Sequence, residues 1–250
     1  MTTFWHSSSG TGAPIVLMHG GFSDSRDFDT NLAGLADAYR VHVYDRRGHG
    51  RSPDLPGPIT MAALTADAES FLTSQVGAPA VLCGYSAGGT VALHTALHRP
   101  DLVRALVLIS TAYAIDGLLF APSADAPLPE PVVARYAEVS PDGRDHLPVV
   151  QAKIADSIAR EPGLTAADLA KVACPTLIVS ADDDLVTLPH TASMLAALPN
   201  ARLAVLPDTS HLLLLEAPDR ATALVRDFLG QVTSGAFPTT LMPIRRGSRP

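Results

Sequence analysis

A serine lies between two glycines in the sequence Gly84-Tyr85-Ser86-Ala87-Gly88, and its surroundings indicate a nucleophile. The apolar run 80–83 precedes it and the small-residue stretch 89–94 follows it, which is typical of a strand, a sharp turn and a helix. Such a turn strains the serine backbone and exposes the hydroxyl above the sheet, and the glycines leave room where strand and helix cross. A coincidental Gly/Ser turn is the alternative, but this context favours a nucleophilic serine. A serine hydroxyl reacts poorly by itself, so a base and an orienting acid must follow downstream.

His211 is the strongest candidate for that base among the nine histidines. It follows a predicted strand, residues 203–206, and a turn, so it lies at the carboxyl end of the sheet, where active-site groups gather. An ordinary loop histidine is the alternative. His19 and His49 are rivals, but both belong to glycine-containing turn motifs.

Three adjacent aspartates, Asp182, Asp183 and Asp184, follow the fifth predicted strand and include the candidate acid. One carboxylate must accept the second ring N–H of the base, which fixes the imidazole tautomer and stabilises the imidazolium. Three neighbours cannot all point at one ring, so two of them are expected to form a solvated acidic turn. The order serine, acid, histidine along the chain is one that such triads use. The residues alone leave the choice among the three aspartates open.

A tetrahedral intermediate carries a negative oxygen that needs N–H donors. Ala87, directly after the serine at the start of a helix, is predicted to supply one donor. Gly21 or Phe22 should supply the second from the loop after the first strand, where His19-Gly20-Gly21 suits a sharp turn. A plain glycine-rich strand exit is the alternative for this loop.

Six short apolar runs alternate with helical patterns along the chain and must hold these groups in place. The runs are residues 15–18, 41–44, 81–83, 105–109, 176–179 and 201–206, with helical patterns such as 61–75 and 217–229 between them. Because the runs are apolar throughout, they predict strands covered on both faces, as in a mostly parallel sheet with helices on both sides. The 250 residues fit one large α/β domain.

The alternation breaks once, between Ser110 and Cys174, where no convincing strand is found. This segment holds a Pro/Ala-rich loop, residues 116–131, and helical stretches near residues 132–139, 149–160 and after a capping Thr165. It predicts an insertion into a single core.

The expected division of the chain follows from that break. Residues 1–111 and 173–232 should form the core, and residues 112–172 the insertion. Residues 233–250 contain Gly, Pro, Ser and three arginines and are expected to be mobile.

Composition and charge exclude several kinds of partner. A net charge of −7 without a long basic run argues against nucleic acid. No apolar run reaches about 18 residues and no basic-then-apolar segment opens the chain, so we expect a cytoplasmic protein without a membrane span. The two cysteines, Cys83 and Cys174, should be buried free thiols, and no cluster has metal-ligand spacing, so neither metal nor cofactor is expected. The sequence does not predict the oligomeric state.

Together, these motifs resemble the α/β-hydrolase fold superfamily over about residues 13–230. The matching features are His19-Gly20-Gly21, Asp45-x-Arg47-Gly48-x-Gly50-x-Ser52, Gly84-x-Ser86-x-Gly88-Gly89, the run 175–179, the aspartate loop, Ser210-His211 and Glu216-x-Pro218. The resemblance implies an α/β fold with a mostly parallel central sheet and a helical lid formed by the insertion. Only about a dozen residues precede Ile15, so the antiparallel hairpin that usually opens the fold is expected to be reduced.

The resemblance also implies roles for single residues. It places the acid three residues after the small residue that ends the strand. Counting from Ser180 gives Asp183, with Asp184 as the second choice. It further implies that Asp45 and Arg47 lock a turn beneath the site.

A serine nucleophile separates this chain from relatives that use aspartate, the haloalkane dehalogenases and epoxide hydrolases. The resemblance therefore implies a serine hydrolase that cleaves an ester, thioester or lactone of a hydrophobic small molecule through an acyl-enzyme, with carbon–carbon bond hydrolysis also open. A cyclase, an isomerase or a small-molecule receptor that uses the same pocket without hydrolysis is the alternative. A complete triad has little reason to persist in a purely structural or partner-binding module.

The insertion leans apolar, so its Leu119 and Phe120 are candidate substrate-binding residues, and Tyr85 beside the serine is a third. Docking of the insertion on the core explains the first two equally well. Arg135, with Arg144 and His146, could meet a substrate carboxylate or could be solvated.

Overall fold

The computed structural model describes residues 4–237 and has a seven-stranded sheet at its centre. The strands are β1 (His6–Ser9), β2 (Pro14–Met18), β3 (Arg40–Tyr44), β4 (Ala80–Tyr85), β5 (Val103–Ile109), β6 (Thr176–Asp183) and β7 (Ala201–Ser210). Their order is β1-β3-β2-β4-β5-β6-β7, and all neighbours are parallel except β1 and β3. The predicted mostly parallel sheet is confirmed, and each apolar run coincides with one of the parallel strands.

The first strand has no counterpart among the apolar runs. Its residues are polar and exposed, and it pairs antiparallel with β3 at the edge of the sheet. An edge strand with both faces solvated carries no apolar pattern, so periodicity could not find it. From residue 4 to the start of β2, the structure thus shows a single antiparallel strand, in agreement with the reduced hairpin that was expected.

Helices cover both faces of the sheet. They are α1 (Met61–Phe71), α2 (Ala87–His98), α3 (Glu130–Val139), α4 (Leu147–Arg160), α5 (Ala166–Leu169), α6 (Leu188–Ala197), α7 (Leu213–Glu216) and α8 (Pro218–Thr233). One face packs against α8 and the short turns of residues 25–37, and the other packs against α1, α2 and α6. Successive strand residues enter opposite layers, as Leu17 and Met18 do, because strand side chains alternate between faces. This double burial explains why the runs are apolar throughout.

The insertion, residues 112–172, contains α3, α4 and α5 between β5 and β6. All three helices lie where the sequence predicts them, and Thr165 and Asp168 form the reciprocal capping box that begins α5. The insertion meets the aspartate loop through an isolated bridge between Leu118 and Val186. It is therefore attached to the carboxyl edge of the sheet.

The last described residues pack against the core. Phe237 is 7% exposed and meets Phe228 of α8 edge to face at 5.5 Å. Residues 238–250, the rest of the segment expected to be mobile, lie outside the described residues.

Both cysteines are free, with Cys83 buried and Cys174 half-buried. Burial raises the pKa of both thiols, that of Cys174 to about 11. They therefore stay protonated and unreactive near neutral pH. Within residues 4–237, none of the helices has the length and apolar character needed to span a bilayer.

Candidate active site

Ser86 occupies the turn between β4 and α2 with a backbone that few residues adopt. Its φ of 52° and ψ of −121° are strained for any residue with a side chain. The turn is fixed because the Ser86 N–H donates to the Ile109 carbonyl at 2.8 Å. A Cβ on Gly84 would overlap the Gly89 backbone, and one on Gly88 would overlap the Met18 carbonyl, so both flanking positions require glycine. The predicted strand, turn and helix are all present around the serine.

His211 lies directly after β7 and faces the serine. Its Nε2 is 3.1 Å from Ser86 Oγ, and its Nδ1 is 2.7 Å from Asp184 Oδ1. A carboxylate only accepts, so Nδ1 carries the proton and Nε2 is free to accept from the serine hydroxyl. The imidazole is 22% exposed, which leaves it within reach of a ligand. The three side chains form one continuous hydrogen-bonded row.

The acid in this row is Asp184, which corrects the expectation of Asp183. Strand β6 continues through Asp183, whose side chain is exposed at the end of the sheet. The Asp182 carboxylate points away and accepts the backbone N–H groups of Asp208 and Thr209. Only Asp184, the first residue beyond the strand, turns inward, and its side chain is fully buried. Counting from Ser180 gave the wrong aspartate because the strand extends farther than its apolar run.

Ser110, directly after β5, supports Asp184. This role was not predicted from the sequence. Its hydroxyl donates to Asp184 Oδ2 at 2.6 Å, while the Val186 N–H donates to Oδ1 at 3.1 Å. Burial acts to raise the pKa of Asp184, but the hydrogen bonds from His211 and Ser110 outweigh it and hold that pKa below its ordinary value. The carboxylate is therefore ionised where it meets the imidazole. The available signal was a polar residue ending an apolar strand at the carboxyl edge of the sheet.

The candidate oxyanion donors lie on two neighbouring segments. Ala87 is the first residue of α2, where backbone N–H groups have no partner within the helix. A Cβ on Gly21 would lie 3.8 Å from Ala87 Cβ, so the loop after β2 passes beside the nucleophile. Phe22 in that loop has a φ of 53°, another strained value for a non-glycine residue. Strain thus marks both segments that were expected to stabilise an oxyanion.

Tyr85, which was expected to bind substrate, lies beneath the His211 loop instead of at an open surface. It is 8% exposed, and its hydroxyl donates to the His211 carbonyl at 2.7 Å. Burial raises the pKa of the phenol, so it remains protonated and keeps donating. Tyr85 therefore helps to hold the His211 loop in place.

This fold and these motifs are those of one protein family. The Alpha/beta hydrolase family matches residues 15–224, most of the chain. The chain belongs to that family.

Known proteins with similar sequences or structures align with nearly the whole chain. A Mycobacterium tuberculosis protein, named provisionally as the non-heme bromoperoxidase BpoC, is 29% identical over 93% of this chain and 99% of its own length. The enol-lactonase from Burkholderia xenovorans LB400 is 26% identical with a TM-score of 0.74, covering 91% of this chain and 96% of that one. A thermophilic esterase from Thermogutta terrifontis, solved with malate bound, is 27% identical with a TM-score of 0.75, covering 92% and 93%.

The rival histidines of this alpha/beta hydrolase are structural. His19 is fully buried, and its Nε2 accepts the Arg46 N–H at 3.0 Å while its Nδ1 meets the Gly20 carbonyl at 2.8 Å. Burial and the nearby Arg46 charge lower the pKa of His19 far below normal, and the same two causes lower that of His49 to about 4. Both rings are neutral supports of the turn after β3.

The turn after β3 is tied down as the resemblance implied. The Asp45 carboxylate accepts the backbone N–H groups of Ser25 and Arg51, both at 2.8 Å. Arg47 forms an ion pair with Asp67 of α1 at 2.6 Å. These bonds join the loops after β2 and β3 below the site of the hydrolase.

Two apolar side chains of the insertion remain at the surface beside the acid loop. Leu119 and Phe120 are 66% and 69% exposed. The Leu119 N–H donates to the Leu185 carbonyl at 2.9 Å, directly after Asp184. Both side chains are therefore exposed next to the loop that carries Asp184.

Proposed function

We propose that this chain is a serine hydrolase that cleaves an ester, thioester or lactone of a hydrophobic small molecule through an acyl-enzyme. The hydrogen-bonded row Ser86–His211–Asp184 carries the proposal. It joins a strained serine to a base whose tautomer is set by a buried, ionised carboxylate.

The first half-reaction follows from this geometry. Ser86 Oγ attacks the carbonyl carbon while His211 Nε2 takes the hydroxyl proton, and Asp184 stabilises the resulting imidazolium. The Ala87 N–H and one from Gly21 or Phe22 donate to the negative oxygen. The tetrahedral intermediate collapses, and the imidazolium returns its proton to the departing alcohol or thiol.

The second half-reaction repeats these roles with water. His211 removes a proton from water, which attacks the acyl carbon and releases the acid and Ser86. With a lactone, the alcohol and the acid remain on one molecule.

The substrate class rests on the surroundings of the triad and on the similar proteins. An enol-lactonase and an esterase share the fold over more than nine-tenths of the chain. The exposed apolar side chains of Leu119 and Phe120, with Leu212 directly after the base, favour an apolar acyl group. We propose that the insertion acts as a lid on the core formed by residues 1–111 and 173–232.

A fluorophosphonate probe tests the covalent step. We expect a single adduct, mapped to Ser86 by peptide mass spectrometry, and hydrolysis of p-nitrophenyl butyrate. Ser86→Ala should lower kcat by several orders of magnitude with unchanged thermal unfolding. Ser74→Ala, at an exposed serine of the same chain, should behave like the parent. Absence of any adduct, or a fully active Ser86→Ala, would refute an acyl-enzyme at Ser86 and favour a cyclase, isomerase or receptor.

A further inference from the structure

A half-buried carboxylate holds the loop that carries Gly21 and Phe22. Asp27 Oδ2 accepts the Gly20 N–H at 3.3 Å, and Asp27 Oδ1 accepts the hydroxyl of Ser23. The two bonds therefore fasten the residues on either side of Gly21 and Phe22. This four-residue segment, residues 20–23, is called the oxyanion loop below.

The oxyanion loop needs such a fastening. Phe22 has a φ of 53°, which costs energy for a residue with a side chain, and Gly21 is exposed. A strained conformation persists only where the surroundings impose it. A donor displaced by a fraction of an ångström from the developing oxyanion loses much of its effect. The carboxylate of Asp27 is placed to prevent that displacement.

The insertion reaches the same carboxylate. Arg135 of α3 places Nη2 3.3 Å from Asp27 Oδ1 and 3.3 Å from Asp24 Oδ1. Arg26 fastens the helix from the core side, since its Nη2 donates to the Arg135 carbonyl at 2.6 Å and its Nη1 pairs with Glu138 at 2.7 Å. The Arg135 guanidinium is thus already engaged, which disfavours the idea that it awaits a substrate carboxylate.

We propose that Asp27 is a positioning residue for the N–H donors of Gly21 and Phe22, and that Arg135 of the insertion holds Asp27 in place as a carboxylate. The insertion would then set the geometry of oxyanion stabilisation as well as cover the site. The proposal rests on the proposed function, because an oxyanion forms only if Ser86 attacks a carbonyl.

Charge makes this arrangement sensitive to pH. The Asp27 side chain is 14% exposed, and burial raises its pKa, opposed by Ser23, Arg135 and the Gly20 N–H. The charged and titratable groups that face it are Arg135 from α3, Asp24 from its own loop, Arg46 from the segment after β3, and Tyr85 from the end of β4. Losing the positive charge of Arg135 must raise the pKa of Asp27 further. Protonation would leave Asp27 with one acceptor oxygen fewer than the carboxylate has. One of its two bonds to the oxyanion loop would then be lost, and the loop would be released.

Steady-state kinetics with p-nitrophenyl butyrate test the proposal. Arg135→Gln should lower kcat about tenfold with a smaller change in KM, because the lost interaction acts on the transition state. Its acid-side loss of kcat should begin at higher pH than in the parent. Arg135→Lys should restore both. The control is Arg160→Gln, which removes an exposed ion pair with Asp156 of α4 and should change neither.

A double variant separates the charge effect from collapse of the insertion. In an Asp27→Asn background, Arg135→Gln should produce no further shift of the acid side. Ser23→Ala removes one fastening bond without touching the insertion and should also lower kcat. Equal losses in Arg135→Gln and Arg160→Gln, or parental kcat in both Asp27→Asn and Ser23→Ala, would overturn the proposal.

The same series distinguishes this inference from the proposed function. All Arg135, Asp27 and Ser23 variants should still be labelled at Ser86 by the fluorophosphonate, at a reduced rate. If Ser86→Ala alone keeps full activity, the acyl-enzyme fails. If Ser86→Ala is inactive and the positioning variants match the parent, only the present inference fails.

Discussion

The Ser110 hydroxyl donates to Oδ2 of Asp184, the oxygen that does not face His211, over 2.6 Å. Ser110 itself has a φ of 47°, so its backbone is strained in the same sense as that of Ser86. Among residues 4–237, the other non-glycine residues with positive φ are Phe22 in the oxyanion loop and Asp208 opposite Asp182. Strain in the described chain is therefore concentrated around the proposed triad, as it commonly is at functional sites.

Removal of the Ser110 hydroxyl should weaken the triad without breaking it. A hydrogen bond to a charged group is worth about 1.5–3 kcal/mol, so we expect Ser110→Ala to lower kcat by roughly tenfold or more. Ser110→Gly removes the same hydroxyl but relieves the strained φ. The two variants should therefore share the kinetic loss, while Ser110→Gly melts at the higher temperature. A kinetic loss in Ser110→Ala that Ser110→Gly lacks would assign the effect to the backbone.

The sequence predicted Asp183 as the partner of His211, whereas the structure has Asp184 in that place. The difference shows what the sequence can and cannot predict. The apolar run 176–179 predicts β6 because both faces of that strand are buried, but it does not show where the strand ends. Asp182 and Asp183 still belong to β6, and the pairing with β7 shifts register between Ala181 and Asp183. Which of three identical side chains points inward depends on that shift, and no local pattern encodes it.

Other parts of the site were within reach of sequence reasoning to different degrees. The turn at Ser86 was predictable because its flanking glycines are required locally, where strand and helix leave no room for a side chain. Asp27 and Ser110 were not, because their roles depend on contacts with segments far apart in the chain.

Asparagine substitutions should decide between the two aspartates. Asp184→Asn keeps the shape of the side chain but favours the wrong tautomer of His211, so kcat should fall on the order of 10⁴-fold. Asp183→Asn is the matched control at the exposed neighbour and should stay close to the parent. The measurement is kcat for p-nitrophenyl butyrate, with thermal unfolding to verify the fold. A large loss in Asp183→Asn alone would reverse the assignment.

The buried His49 should make stability depend on pH. The pKa of His49 falls from 6.5 in the unfolded chain to about 4 in the fold, mainly through burial. The unfolded state therefore binds more protons in this window, so the free energy of unfolding should fall as pH drops from about 6.5 to about 4, by up to about 3 kcal/mol.

Urea unfolding measured across that window checks the prediction. His49→Gln should flatten the slope, leaving the part due to His19, whose pKa is lowered by the same causes. His98→Gln, at an exposed histidine, is the control and should retain the parental slope. An unchanged slope in His49→Gln would show that the ring is not neutralised by burial.

Leu119 and Phe120 should select among acyl chains if the insertion is a lid. Each methylene of mismatch in an apolar pocket is worth about 1–3 kcal/mol, so Phe120→Ala or Leu119→Ala should shift the ratio of kcat/KM between short and long p-nitrophenyl esters by roughly 10- to 200-fold. The fluorophosphonate labelling of Ser86 should remain, because the bond from the Leu119 N–H to Leu185 involves only the backbone. Val205→Ala, at an exposed apolar residue of β7, is the control.

Loss of labelling in the Leu119 or Phe120 variants would show that these side chains support the Asp184 loop. An unchanged chain-length preference with intact labelling would mean that they face solvent and that the acyl pocket lies elsewhere on the insertion, near the exposed Val149 of α4.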